Sequence, residues 1–263
     1  MSLEMLGEYS DELLRGSLTR PNTPEDRTER LEELAQCMRP LIRASWHEET
    51  LYLEDGLRAA AVIACLPSLS TVAQSESHTR ATAVQVSDSL RTLSTRIITT
   101  NSLEPDLIKQ RGGPRALREA NGKMSEIAVL GLFWWGIAHG RWDERMYALP
   151  ATTAQDSGRH QNQKDSLSLA TDIMLRQSDS AYKQRIQVKT SATDIRPNRY
   201  HPEVIVVAVS DLMKRHHAHN PRRFLRFLSR DSRYLEDMHN RLDAQFRTAE
   251  EELSYYERYT GTN

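Results

Sequence analysis

Residues 127–137 read Ile-Ala-Val-Leu-Gly-Leu-Phe-Trp-Trp-Gly-Ile, a run that is apolar on nearly every side of a helix. A helix of that kind leaves no face for water and is expected to be buried against a sheet. The run is too short to cross a membrane, which takes about 20 apolar residues. Glu126 immediately precedes it, four residues before Leu130 and seven before Phe133, so a carboxylate shares an apolar face. Left unpaired, that charge would be costly. Two readings stay open: Glu126 pairs with Lys123 or a neighbouring arginine, or it aims into a site holding a metal or ammonium partner.

The segments after this helix, itself expected over residues 117–139, read as strands. Residues 145–151 form the first. A polar stretch follows at 152–166, with Gln155, Asp156, His160, Gln161, Asn162 and Gln163, and a loop of that length is expected to be mobile or functional. Asp172 then opens the apolar run Ile173, Met174 and Leu175. Over residues 185–191, Ile186 and Val188 alternate with Arg185, Gln187 and Lys189 in the period-2 pattern of a half-buried strand. The polar residues 178–183 between these two runs suit a hairpin connection. Gln187 and Lys189 must point to one face, so an acid, an amide and an ammonium group gather on neighbouring strands. Past Pro197, residues 203–210 form a β-branched run of the kind buried on both faces of a sheet.

The flanking regions read as helical. Residues 1–24 suggest a loosely ordered arm, and Thr23-Pro24-Glu25-Asp26 has the chemistry of a helix start. Leu31, Leu34, Cys37, Met38, Leu41 and Ile42 then recur at helical spacing. Further helices are expected over 48–65, ended by Pro67, and over 77–99. No catalytic constellation is evident in this part; Trp46-His47-Glu48-Glu49 lacks metal-ligand spacing and reads as ordinary helix surface. The sequence Gln110-Arg111-Gly112-Gly113-Pro114-Arg115 is the best candidate for a hinge. These features divide the chain into a helical N-terminal module (1–115), an α/β core (116–215) and a C-terminal helical tail (216–263).

The tail is electrically segregated. Lys214, Arg215, Arg222, Arg223, Arg226, Arg230 and Arg233 precede an acidic part with Glu236, Asp237, Asp243, Glu250, Glu251 and Glu252. Pro221 begins a helix with Phe224, Leu225, Phe227 and Leu228 on its apolar face. The formal net charge of the 263 residues is only −1, so any attraction to nucleic acid must come from such local patches. His216, His217 and His219, without nearby cysteine, make a weak zinc signal. Cys37 and Cys65 form neither a disulfide framework nor a zinc ribbon, and residues 1–30 do not resemble a secretion signal, so a cytoplasmic setting is expected.

A helix bearing an acid, a strand, a strand led by an acid, a strand with Gln-x-Lys and a further buried strand together resemble the PD-(D/E)xK nuclease superfamily over residues 117–212. The resemblance implies a restriction-endonuclease-like αβββαβ core around a mixed central sheet. By position, Asp172 is the metal-binding acid, Gln187 stands where the second acid is usual, Lys189 is the motif lysine and Glu126 the helix-borne acid. Val188 would lend its backbone carbonyl to the metal. Thr171 stands where the pattern has proline. Asp156 and Asp165 rank below Asp172 because neither begins an apolar run.

The resemblance further implies Mg²⁺ or Mn²⁺ as cofactor, DNA as substrate with RNA as the alternative polymer, and a homodimer or larger assembly, since cutting both strands calls for two sites. Hard cations favour carboxylate and carbonyl oxygen, which matches this donor set. Arg222, Arg223, Arg226, Arg230, Lys214 and Arg215 are the expected phosphate-holding residues. The exchange of an acid for Gln187 keeps a second function in view, a nuclease-like module that binds nucleic acid or protein without cutting.

Overall fold

The computed structural model describes residues 24–47, 53–75, 79–150, 171–177, 183–191, 204–213, 220–230 and 232–260. Among them are seven helices and one four-stranded sheet. Helices α1 (Pro24–His47), α2 (Leu53–Ser75), α3 (Arg80–Thr99) and α4 (Pro105–Ala138) come first, with a 3₁₀ turn at Asn101–Leu103. Strands β1 (Met146–Pro150), β2 (Ile173–Gln177), β3 (Lys183–Lys189) and β4 (Val204–Ala208) follow, then α5 (Val209–Leu212), α6 (Pro221–Arg230) and α7 (Tyr234–Thr260). No helix among the described residues is long and apolar enough to cross a membrane.

Local chemistry accounts for most boundaries. Thr79 caps α3 through its side chain, and proline opens α4 where a missing N–H costs nothing. One expectation needs correction. Pro67 does not end α2, which continues to Ser75; Leu57, Ala60, Ala61, Ala64 and Cys65 bury the helix deeply enough to offset one lost backbone bond. The break near residue 113 is a kink inside a helix that starts at Pro105, where Gly113 takes a φ of 71° that side-chain-bearing residues avoid. The tail also divides: Ser232 accepts the Leu235 N–H through its carbonyl and the Tyr234 N–H through its hydroxyl, so α7 starts afresh after α6.

The sheet is mixed, in the order β1-β2-β3-β4, with β1/β2 and β2/β3 antiparallel and β3/β4 parallel. Ile173 faces Ile186, Gln187 faces Val206 and Lys189 faces Ala208. An α/β architecture is therefore correct. The helix that an αβββαβ order requires between β3 and β4, and the polar stretch 152–166, fall outside the described residues.

Helix α4 is the hub. It packs against α2, α3, α6, α7, β1 and β3. Trp134 donates its indole N–H to the Ala148 carbonyl of β1 at 2.8 Å, and the Ser125 hydroxyl lies 3.0 Å from that of Thr190 just past β3. Residues 127–137 are buried throughout, as the all-round apolar pattern requires. One continuous cluster of buried side chains includes Trp46 and Leu57 of the N-terminal helices, Ile186 of the sheet and Phe246 of α7. Two glycines let neighbours approach α4: a Cβ on Gly131 would lie 2.9 Å from Leu228, and one on Gly136 would collide with His239 and Trp142.

Candidate active site

Asp172 stands one residue before β2, and its carboxylate replaces a rung of the ladder. Its backbone N–H donates to the Ile186 carbonyl, while its Oδ2 accepts the Val188 N–H at 2.7 Å. A backbone group that would otherwise face a neighbouring strand is thus satisfied by the acid, and the acid is pinned beside the segment that carries Gln187 and Lys189. Burial pushes the Asp172 carboxyl above the usual carboxylate range. The positive charges of Lys123, Lys189 and Arg58 and the Val188 bond all pull the other way.

Glu126 projects from α4 into the same narrow cleft as Asp172, walled by Arg58, Lys123, Pro150 and Ile173. The free interior is about 10 Å³, room for about one water or ion. Burial pushes the Glu126 carboxyl up to about 7, and the nearby Asp172 charge adds to the rise against the opposing pull of Lys123. Glu126 is therefore paired with Lys123, as the first reading has it, and shares its cleft with a second acid.

Its partner is Lys123, whose Nζ lies 2.7 Å from each Glu126 oxygen and 3.8 Å from a Glu54 oxygen. Lys123 is only 8% exposed, so this ammonium is the built-in cation of the cleft. The sequence offers Lys123 as a pairing partner for Glu126, and in the structure its charge also acts on Asp172. The signal was the i, i+3 spacing to Glu126 on an otherwise apolar face. Glu54 and Arg58 were missed altogether, because the N-terminal helices carry no motif; α2 contributes a wall of the cleft. Among the described residues the buried Arg58 Nε–H has no acceptor, although its Nη2 lies 3.7 Å from Glu54. Thr171, beside Asp172, is 3% exposed with its hydroxyl likewise unpaired among the described residues.

The expected residues do not all converge. Asp172 and Glu126 do, and Lys189 is close enough for its charge to act on Asp172. Gln187 is half-buried on β3 beside Val206 and does not line the cleft. Val188 is buried, with its N–H taken by Asp172. No group of three or more His, Cys, Asp or Glu among the described residues is arranged to hold a metal ion. A cation here would have two carboxylates, with carbonyl, amide, water or phosphate oxygen completing its shell.

The basic helix also needs correction. Arg222 points inward and is 8% exposed: it donates to the Leu103 carbonyl, to the Ile98 carbonyl at 2.9 Å and to Glu104 at 2.7 Å. Its guanidinium binds the end of α3 and the turn after it, so its donors are engaged within the fold. Arg223, Arg226 and Arg230 are exposed, while Lys214, Arg215 and the three histidines of 216–219 lie outside the described residues. Helix α6 meets α4 at Gly131, five residues from Glu126 and so about 140° around the helix. The exposed arginines of α6 therefore do not share the face of α4 that carries the acid. Trp46, expected on a helix surface, belongs to the core. Comparison of the chain with family models, curated proteins and solved structures found no match.

Proposed function

We propose that this chain is a metal-dependent nuclease of the PD-(D/E)xK type that hydrolyses DNA phosphodiester bonds, with Asp172 and Glu126 binding Mg²⁺ or Mn²⁺ and Lys189 assisting the attacking water. One observation carries the reading: the Asp172 carboxylate accepts the Val188 N–H at 2.7 Å, inside the Gln-x-Lys segment, while Glu126 faces the same cleft. The mixed sheet order, with β4 parallel to β3, agrees with a restriction-endonuclease-like core.

Each residue has a task that follows from its surroundings. Two carboxylates raised by burial into one cleft gain more from a divalent cation than exposed acids would. The carbonyl of Val188, whose N–H Asp172 accepts, offers a further oxygen without adding negative charge. A bound Mg²⁺ or Mn²⁺ would supply charge to offset the scissile phosphate and acidify a water. Lys189 would orient that water and balance charge developing on the phosphorus oxygens. Arg58, whose side chain is part-exposed beside Glu54, would donate to a phosphate oxygen.

A second reading has its own support. Lys123 already holds both Glu126 oxygens, so the cleft has a cation without metal, as suits a nuclease-like module that binds without cutting. Incubation with supercoiled plasmid decides between them. Cleavage with Mg²⁺ or Mn²⁺, absent in EDTA and lost in Lys189→Ala and Asp172→Asn, supports the nuclease. Metal-independent DNA retention without cleavage supports the binding module, and cleavage that survives both substitutions overturns the assigned site.

A further inference from the structure

Gly122 has no packing explanation among the described residues. A glycine inside a helix weakens it relative to alanine and is normally retained where another group must approach the backbone. Gly131 and Gly136 of the same helix fit that rule, with Leu228 and His239 pressed against them. Around Gly122, by contrast, no described atom lies within 4 Å of where a Cβ would stand, although it sits one turn before Glu126.

The open position belongs to a stripe. At about 100° per residue, Arg115, Arg118, Gly122 and Glu126 fall within a sector of about 80° on α4. Arg115 and Arg118 are exposed, Gly122 is half-buried, and Glu126 reaches the cleft. Arg118 lies about 12 Å along the helix from Glu126. Arg115 gives only its Nε–H to Glu119, at 2.7 Å, and its side chain is 84% exposed. Lys109 and Arg111, on the other side of the kink at Gly113, are also exposed.

We infer that this stripe of α4 is the track by which a DNA strand reaches the acids, with Arg115 and Arg118 holding its phosphates and Gly122 leaving room for its backbone. The inference rests on the nucleic-acid reading above and deepens it. It moves the phosphate grip from α6, about 140° around from Glu126, to the face that carries the acid. Charge complementarity selects the occupant: an exposed cationic stripe running to buried carboxylates matches a polyanion bent toward a cation site.

Fluorescence anisotropy of a labelled duplex oligonucleotide in EDTA, across a salt series, tests the track without cleavage. Arg115→Ala/Arg118→Ala is expected to weaken binding about ten-fold and to reduce the slope of log K against log salt by about 2. Gly122→Leu is expected to raise the melting temperature by a few degrees, because leucine is the better helix former, while weakening DNA binding about ten-fold. Opposite signs on stability and binding are the signature; a glycine needed for internal packing would lose both together. The inference is overturned if the arginine pair and Gly122→Leu bind like wild type, if Arg223→Ala/Arg226→Ala alone abolishes binding, or if wild type retains no DNA. Should the track variants lose binding while Asp172→Asn still cleaves, the catalytic assignment falls and the track stands. Should Asp172→Asn lose cleavage while the track variants bind and cut normally, the reverse holds.

Discussion

Helix α4 carries two buried polar clusters that solve the problem of buried polarity in opposite ways. Near Gly136, the Trp142 indole N–H donates to His239 Nε2, and Phe133, Trp142 and Phe246 pack edge to face at 5.4 to 5.6 Å. His239 stays neutral because burial holds its pKa down to about 4, so one hydrogen bond satisfies the pair and no net charge is enclosed. Near Glu126, two acids, a lysine and an arginine share a cleft, and the acid on the helix is pushed up to about 7. A fold that needs only stability does better with the neutral arrangement, since buried ion pairs recover little beyond their desolvation cost. The charged cluster is the one that invites a functional explanation.

That contrast breaks if catalysis does not depend on the charged cluster. The largest expected effect is on cleavage: Lys189→Ala and Asp172→Asn should each lower the plasmid cleavage rate by about 100-fold or more. Circular dichroism should remain native, because asparagine keeps an oxygen for the Val188 N–H. Next, Phe133→Ala should cost about 3–5 kcal/mol in urea unfolding, as the loss of a fully buried aromatic predicts, with no specific effect on catalysis in the folded fraction. A small effect there would mean that the aromatic cluster is not the structural partner in the comparison.

The acid limb of stability should read out His239. Its folded pKa lies below the unfolded value of about 6.5, so the unfolded chain binds more protons between those limits. Stability is then unaffected above about pH 6.5, falls as pH drops toward 4 and flattens below, by on the order of 3 kcal/mol in all. Asp243 opposes the depression, while Arg141 and His139 add to it. Urea titrations at several pH values, repeated with His239→Gln, should show this component vanish; an unchanged acid slope would remove His239 from the account. The smallest effect concerns Lys123 and Glu126. A cycle of Lys123→Met, Glu126→Gln and the double variant should give a coupling of about 1–3 kcal/mol, with the double variant close to wild type in stability.

Much of the fold was legible because periodicity is local. Ile186 and Val188 alternate with Gln187 and Lys189 as a strand, and residues 127–137 have no polar face to turn outward. The errors came where tertiary packing outweighs a local signal. Pro67 is tolerated because buried alanines hold α2 in place around it, and Arg222 reads as part of a basic patch until Glu104 and the end of α3 are seen to enclose it. The candidate site was half legible: Asp172 and Glu126 stand at the edges of apolar runs, whereas Glu54 and Arg58 lie in an unremarkable helical segment.

By itself the amino-acid sequence determined which stretches pair as strands, which helix is buried and where an acid interrupts an apolar run, since each follows from the spacing of neighbouring side chains. Only the tertiary structure decided which charges meet. Arg222 finds its partners 118 and 124 residues away, and Lys123 reaches across from α4 to Glu54 of α2. The physical reason is desolvation: a charge taken out of water must be met by hydrogen-bonding or oppositely charged groups in contact with it, and chain folding, not sequence proximity, selects those groups.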